Sequence, residues 1–497
     1  MGIMLSREEI LTIYAQGPEA VVDLVEKLLT SQAELVQQIQ TLTARVQELE
    51  TRLNKDSHNS HKPPSSDGLA KLPRRRSRRV RSGKASGGQP GHPGTTLVQV
   101  EHPDEVVAHR VAECQQCGAS LESAAVVKRE RRQVFELPPL QPIVIEHQVL
   151  HQCCPKCQQV STGQFPTAVT QLTQYGPALK ALAVYLHEYQ HLPLERTQEF
   201  FQDVIHVPLS EGTLAHARAT CAERLEPVET AIKEAVTGAA VVNYDETGTR
   251  IEGKTRWLHV AATPDWTYYA VHAKRGPAAM NAIGILPAFR GTAVHDAWGG
   301  YFTYPCGHGL CNVHLLRDLT AAGDATGQRP ASASARGWPQ RMSDLLLEIK
   351  AAVERARQAG QAQLSTQCRA EFIRQYQLLI TQGLRANPPP KPTGKRGRPA
   401  NGPIRGLLLR LQDRQSAVLA FMHDFRVPFS NNLAERDVRM AKVRQKIGGG
   451  FRSWRGAEIF CRIRGYLSTM RKQGQNPLAA LNSVFVGHPL MPRLTAE

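Results

Sequence analysis

The chain has 497 residues, with 61 Lys and Arg against 44 Asp and Glu, a formal net charge of +17 and a pI near 9.6. That length accommodates two to four domains with at least one large core, and the basic balance favours polyanionic partners. No apolar run of about 18 residues occurs, so no membrane span is expected, and the start "MGIMLSREEI" lacks the regions of a secretory leader. Gly2 and Ser6 fit a loose acylation pattern that short sequences meet by chance. Ten cysteines with no evident disulfide framework suggest a reducing, cytoplasmic compartment, in which the thiols are buried or hold metal.

Residues 1–56 are expected to be a helical oligomerisation region. Leu28, Leu35, Leu42 and Leu49 fall seven apart, and Val25, Gln32, Ile39, Val46 and Leu53 fill the alternate seam position. The repeat is nearer 3.5 than 3.6 residues, so a self-associating coiled coil is preferred to a helix docked on the body, with Gln32 setting register. Residues 57–100 read as a disordered linker rich in Ser, Pro and Gly. It carries eight Lys or Arg from Lys71 to Lys84 and no acid among them. Its Arg74, Arg75, Arg76, Arg78 and Arg79 are candidate contacts to a phosphate backbone, without sequence specificity.

Two C-x-x-C pairs follow, within a zinc-ribbon-like domain placed at residues 101–165. Cys114 and Cys117 stand in "CQQCG" and Cys154 and Cys157 in "CPKC", with 36 residues between the pairs. Each pair supplies two thiolates, and two pairs brought together close a tetrahedral Zn²⁺ site. No βαβ pattern surrounds them, which disfavours a redox role. Cys153 is a spare thiol that competes for the fourth position.

Residues 166–235 read as helical. "GPALKALAVYLHEYQ", "PLERTQEFFQDVI" and "EGTLAHARATCAERL" are separated by breaks, and the last two resemble a helix-turn-helix. Ser210 would be the N-cap of the recognition-like helix, which carries Thr213, His216 and Arg218. Many helical hairpins share this pattern.

From residue 236 strands dominate, and 236–316 is taken as the first part of a catalytic domain. "AVVNYDETGTRIEG", "KTRWLHVAATP" and "DWTYYAVHAKRG" form a plausible antiparallel meander, with Asp245 ending the first apolar run. "NAIGILPAF" reads as a helix and "GTAVHDAWGGYF" as a strand ending at Asp296. Of the 138 residues between Asp296 and Glu435, those at 317–400 form a helical insertion with a basic loop, its helices in "QRMSDLLLEIKAAVERARQAG" and "CRAEFIRQYQLLITQGL". The loop holds Arg396-Gly397-Arg398-Pro399. Arg396 and Arg398 are candidate DNA contacts, as a flexible cationic loop in preference to a minor-groove hook.

Residues 401–472 would complete the catalytic domain, and 473–497 form a tail. In "NNLAERDVRMAKVRQKIGGG" Glu435 shares a helical face with Lys442, two turns on, and with Arg439 between them. A surface ion pair explains one such helix. Two further acids at strand ends suggest instead that Asp245, Asp296 and Glu435 share a site whose mutual repulsion cations offset. Mg²⁺ prefers such hard oxygen donors, and two ions about 4 Å apart serve phosphodiester displacement. Lys442 and Arg439 would then grip the substrate backbone.

"YDETG", "HDAWGGYF" and "NNLAERDVRMAK", with "NSHKPPSSDG", "GGQPGHPG", the cysteine knuckles and "QGQNPLAALNSVF", resemble the DDE transposases of the insertion-sequence 66 family over nearly the whole chain. The resemblance implies an RNase H-like catalytic domain, with Asp245, Asp296 and Glu435 as the catalytic triad and Lys442 as the trailing basic residue. It also implies Mg²⁺ or Mn²⁺ as cofactor. The expected partners are DNA at the element ends and target, a second copy of the chain, and accessory proteins of the element; the expected place is the bacterial nucleoid. "CNVH", Cys311 to His314, looks like a C-x-x-H element of several transposase groups and is read as a core thiol and a helix imidazole rather than a metal site. The fold class expected is thus a multidomain α+β/α chain with coiled coil, zinc ribbon, helix-turn-helix-like region and RNase H-like domain. The expected activity is metal-dependent strand cleavage and transfer, the alternatives being a zinc-containing DNA-binding regulator or a nuclease that does not join strands.

Overall fold

A computed structural model describes residues 7–53, 97–138, 140–325, 337–390 and 401–493. Arg74, Arg75, Arg76, Arg78, Arg79, Arg396 and Arg398 lie outside the described residues. Among the described residues no helix is long and apolar enough to cross a membrane.

Helix α1 (Arg7–Ala15) precedes α2 (Pro18–Leu53), one continuous helix along which the seam residues Val25, Leu28, Leu35, Ile39, Leu42 and Val46 are exposed. Two short strands, β1 (His151–Cys153) and β2 (Val160–Thr162), pair antiparallel around the second cysteine knuckle. None of the described residues between 97 and 180 is buried.

The helices α3 (Pro177–Val184), α4 (Leu194–Phe200), α5 (Glu211–Arg224) and α6 (Glu226–Gly238) come next. Ser210 caps α5 as expected, its hydroxyl accepting from the Thr213 amide at 3.0 Å. This region is not a separate module, because Cys221, Leu225, Ile232 and Val236 share a core with the sheet that follows. Arg218 is correspondingly not free to read a groove. Its guanidinium is bonded to Glu188, whose side chain is fully buried. Burial of the partner and four helical turns of packing thus turn a residue of the recognition-like helix inward.

That sheet has the order β5-β4-β3-β6-β7. Strands β3 (Val241–Ile251), β4 (Lys254–Ala262) and β5 (Thr267–His272) form the expected antiparallel meander. Helices α7 (Pro277–Ile283) and α8 (Ile285–Ala288) replace the single helix read in "NAIGILPAF", since Gly284 breaks it with φ +81. Strands β6 (Thr292–His295) and β7 (Gly307–Leu310) then add in parallel to β3 and to each other. Two further corrections concern strand ends. Asp245 lies in mid-strand, since the polar run to Ile251 still pairs with β4, and β6 stops at His295, one residue before Asp296.

One face of the sheet packs Val242, Tyr244 and Ala261 against α5, α6, α8 and α16 (Trp454–Lys472). The other face packs Leu258, Val260 and Tyr269 against α15 (Asn432–Gly448) and α16. At the β7 edge a third cluster joins Val294 and Leu310 to α9 (Asn312–Ala325), α10 (Trp338–Gln358), α11 (Thr366–Ala386), α12 (Pro403–Asp413), α13 (Gln415–Val418) and α14 (Ala420–His423). The helical insertion is therefore fused to the sheet edge through one apolar cluster. The tail contains α17 (Pro477–Val486), whose Ala480, Leu481 and Val484 are fully buried in the same cluster as Ala181 and Val184 of α3.

Candidate active site

Asn243 of β3 pairs in register with Val294 of β6. Two residues further along the chain from each lie Asp245, within β3, and Asp296, one residue past the end of β6, so both acids stand at one level just past the last parallel pair. Neighbouring strands are about 4.8 Å apart, and paired residues project to one face. That face is the one covered by α15, because the Asn243 amide donates to Asn431 at 2.8 Å and Asn431 donates to the Tyr244 carbonyl at 2.8 Å. Asn431 is the N-cap of α15, so this clamp seats the first turn of the helix, and with it Glu435, over the middle of β3 and beside the residue that follows β7. Open sheets leave their crevice at the carboxyl ends of their parallel strands.

Asp245 shows what this crowding does. Burial, the neighbouring Glu246 and the charges of Asp296 and Glu435 push its carboxyl up to about 8, against the single Glu246 amide that favours its ionised form. A carboxylate in this setting asks for a positive charge. Asp245, Asp296 and Glu435 offer only oxygen donors, which suit a hard divalent cation better than a soft one, although their oxygens do not all lie within 4.8 Å of one another.

Glu435 touches two further groups. Its Oε1 lies 3.7 Å from the Cys311 thiol and 3.7 Å from His314 Nε2. Cys311 follows β7 directly and is 1% exposed, and its sulfur accepts the Asn431 amide at 3.2 Å. The reading of "CNVH" as a buried thiol and a helix imidazole holds, but both face the carboxylate. Among the described residues, Cys311, His314 and Glu435 form the group whose ligand atoms all lie within 4.8 Å of one another.

The other acid of the helix is occupied elsewhere. Asp437 bonds Lys472 at 2.8 Å and the Thr267 hydroxyl at 3.1 Å, tying α15 to α16 and β5. Lys442 is exposed and donates to the Gly248 carbonyl of β3, and Arg439 is exposed one turn beyond Glu435.

Sequence reasoning missed the group beside Asp296. Arg275 donates to Glu246 Oε1 at 2.7 Å and approaches Asp296 Oδ2 at 4.0 Å. Its guanidinium lies 5.2 Å from the ring centre of Trp257 and 4.8 Å from that of Trp298, so two indoles hold it in one plane. Tyr301 donates to the other Glu246 oxygen. The turn that brings these rings in is tight. Ala297 adopts φ +74, and a Cβ at Gly300 would stand 2.3 Å from the Trp298 ring. The pairs "DE" at 245–246 and "WGG" at 298–300 were the available signals.

The cysteine pairs each form a knuckle. The amide of Gly118 returns to Cys114 and that of Gln158 to Cys154, both at 2.9 Å. Backbone amides of Gln116 and Cys117 lower the pKa of the Cys114 thiol, and those of Cys157 and Lys156 lower that of Cys154. No three of the four thiols Cys114, Cys117, Cys154 and Cys157 lie mutually within 4.8 Å. A second motif is spelled but not built. "HEYQH" at 187–191 has the spacing of a zinc-protease helix, yet Glu188 is paired with Arg218 and His191 lies past the helix end at φ +63.

No curated protein matches the chain. A family of unknown function, DUF6444, matches residues 16–97. The model described as Transposase IS66 family matches residues 173–459, which include the sheet, Asp245, Asp296 and Glu435. That match spans more than half of the sequence, and the chain belongs to the IS66 transposase family.

Proposed function

We propose that this transposase cuts and joins DNA at the ends of an insertion sequence with a DDE-type, metal-dependent site in an RNase H-like domain. The observation that carries the reading is the placement of Asp245 and Asp296 at one level of the sheet, with Glu435 on the helix clamped over them. The strand order, with an antiparallel meander and two parallel strands, fits the fold. Asp245, Asp296 and Glu435 would hold Mg²⁺ or Mn²⁺, which when bound supplies Lewis-acid activation of the scissile phosphate and of the attacking hydroxyl. The chain's own part is positioning. Arg275 and Glu246 fix the approach to Asp296, the Asn243–Asn431 clamp fixes Glu435, and Arg439 and Lys442 stand where a phosphate backbone would pass.

The remaining regions have supporting roles in the same reading. The basic segment with Arg74, Arg75, Arg76, Arg78 and Arg79, and the loop with Arg396 and Arg398, would add non-specific affinity for DNA. The exposed apolar seam of α2 would pair two copies so that two ends are held together. One Zn²⁺ would draw Cys114, Cys117, Cys154 and Cys157 together and fold a segment that buries no residue of its own. Accessory proteins of the same element and a nucleoid location complete the proposal.

The test is cleavage and joining in Mg²⁺ on DNA carrying both element ends, comparing wild type with Glu435→Gln. Activity lost in the variant with DNA binding retained is the expected result. Cleavage without joined product in the wild type would favour a nuclease, and cleavage that survives the substitution would mean that Glu435 is the wrong carboxylate. Binding without cleavage in both proteins is followed by adding the element's other products. Persistent inactivity then would favour the regulator.

A further inference from the structure

We propose that Cys311, His314 and Glu435 form a second metal site, selective for a thiophilic divalent cation such as Zn²⁺, whose occupation withdraws Glu435 from catalysis. Three elements converge on it: the residue that follows β7, the first turn of α9 and the first turn of α15. The Sγ–Oε1 and Nε2–Oε1 separations are both 3.7 Å. Zinc with bonds of about 2.0–2.3 Å and tetrahedral angles needs ligand–ligand edges of roughly 3.3–3.7 Å, which the two edges at Glu435 meet, and the third, between Cys311 and His314, lies within 4.8 Å. The Asn431 amide already donates to Sγ at 3.2 Å, an outer-shell contact of the kind that orients a bound thiolate. Binding breaks the S–H bond of Cys311, forms the sulfur–metal bond and releases the proton to solvent.

Ligand chemistry separates this site from the one at the strand ends. Sulfur and imidazole nitrogen suit zinc and its soft neighbours, whereas Mg²⁺ selects oxygen and keeps its waters. Glu435 is the one donor that both sets require. A soft ion held by Cys311 and His314 therefore competes for the carboxylate that the hard-metal site needs, and zinc inhibits at Mg²⁺ concentrations far above its own.

Binding can be read without activity. Full-length wild type, Cys311→Ser and His314→Gln are titrated with Co²⁺, a coloured zinc substitute, with circular dichroism and thermal melting as folding controls. All three keep the same knuckle cysteines, so these contribute equally. The wild type is expected to take up one more cobalt per chain than either variant and to gain additional thiolate-to-cobalt absorption. The two variants alter different elements, so a folding defect in one does not decide the matter. In a Mg²⁺-supported cleavage assay, each protein normalised to its own zinc-free rate, the inhibitory Zn²⁺ concentration is expected to rise about tenfold or more in both variants. Equal cobalt uptake and equal spectra in the three proteins would overturn the site. Extra cobalt in the wild type without greater zinc inhibition would overturn the competition for Glu435. The inhibitory half rests on Glu435 serving the reaction. If none of the proteins cleaves DNA, the cobalt difference still decides the site and the failure belongs to the catalytic reading.

Discussion

Between Pro177 and Val486 nearly every helix and strand contributes fully buried side chains, gathered in clusters on both faces and at one edge of a five-stranded sheet. Between residues 97 and 170 the described chain has two three-residue strands, two cysteine knuckles and no buried residue, with Val127, Val134 and Ile143 almost fully exposed. Both stretches are rich in β-branched residues, so composition alone does not separate them. The difference lies in partners. The body can bury its apolar faces against its own helices, and the knuckle segment has only its thiols with which to make a tight local centre. One region is held by area and the other, on the proposal above, by ligation.

The largest expected effect follows from that contrast. Chelation of zinc from the full chain should expose the segment 101–165 to limited proteolysis, because structural zinc in small modules contributes apparent binding energies on the order of 10 kcal/mol. The melting of the body should not move. A common loss of both would mean that the two regions are held by one core.

Within the body the sharpest substitution is Asp245→Asn. Cleavage should fall at least about 10³-fold, the loss of one required ligand. Stability should move the other way. The folded-state pKa of about 8 lies above the ordinary value of 3.8, so the metal-free protein loses stability as pH rises between these values, and the amide removes that penalty. Thermal melting at pH 8 without metal should therefore rise in the variant, while added Mg²⁺ should raise the melting temperature of the wild type alone.

Glu188→Gln leaves the half-buried Arg218 guanidinium without its fully buried charge partner, which should lower stability by about 3–5 kcal/mol in denaturant unfolding. The same cluster sets an acid limit. Burial lowers His187 and His191 to about 4 from 6.5, with Arg218, Arg444 and Arg464 adding to the effect and Glu188 opposing it. Each favours the folded state in its neutral form, so each withdraws up to ~3 kcal/mol as pH falls from 6.5 to 4. Glu188 itself, held at about 2, contributes above its ordinary 4.5 and is lost only below that pH. A stability profile flat from pH 7 to 4 would contradict this assignment.

The smallest effect expected is that of Arg275→Lys. A lysine keeps the charge but not the planar fork between Trp257 and Trp298, and cleavage should drop about tenfold with melting unchanged.

Much of this body was legible in the chain. The meander from Val241 to His272 announced itself by alternation and turn residues, and α10 and α11 by their 3.6-residue periodicity. The three carboxylates stood out because each followed an apolar run or shared a face with bases. What stayed hidden depends on long-range pairing. Gly307–Leu310 has too few apolar residues to signal a strand, and only its place beside β6 makes it β7. The polar residues after Asp245 remained in β3 because β4 offered a ladder. Arg218 reads as a groove-facing base until Glu188, thirty residues earlier, is seen beneath it. Arg275 joins Glu246 and Asp296 only after two turns of chain have folded back on the sheet.

Helix α17 has a consequence for the order in which the body can close. It is sealed against α3, the first helix of the body, and Arg224 of α5 closes its end by donating to the Val484 and Phe485 carbonyls at 2.9 and 3.0 Å. Residues 477–486 follow Asp245, Asp296 and Glu435 in the chain, so the core behind the sheet closes only after all three carboxylates have been synthesised. A chain interrupted between Glu435 and Pro477 would carry the three acids over a core that lacks its last wall.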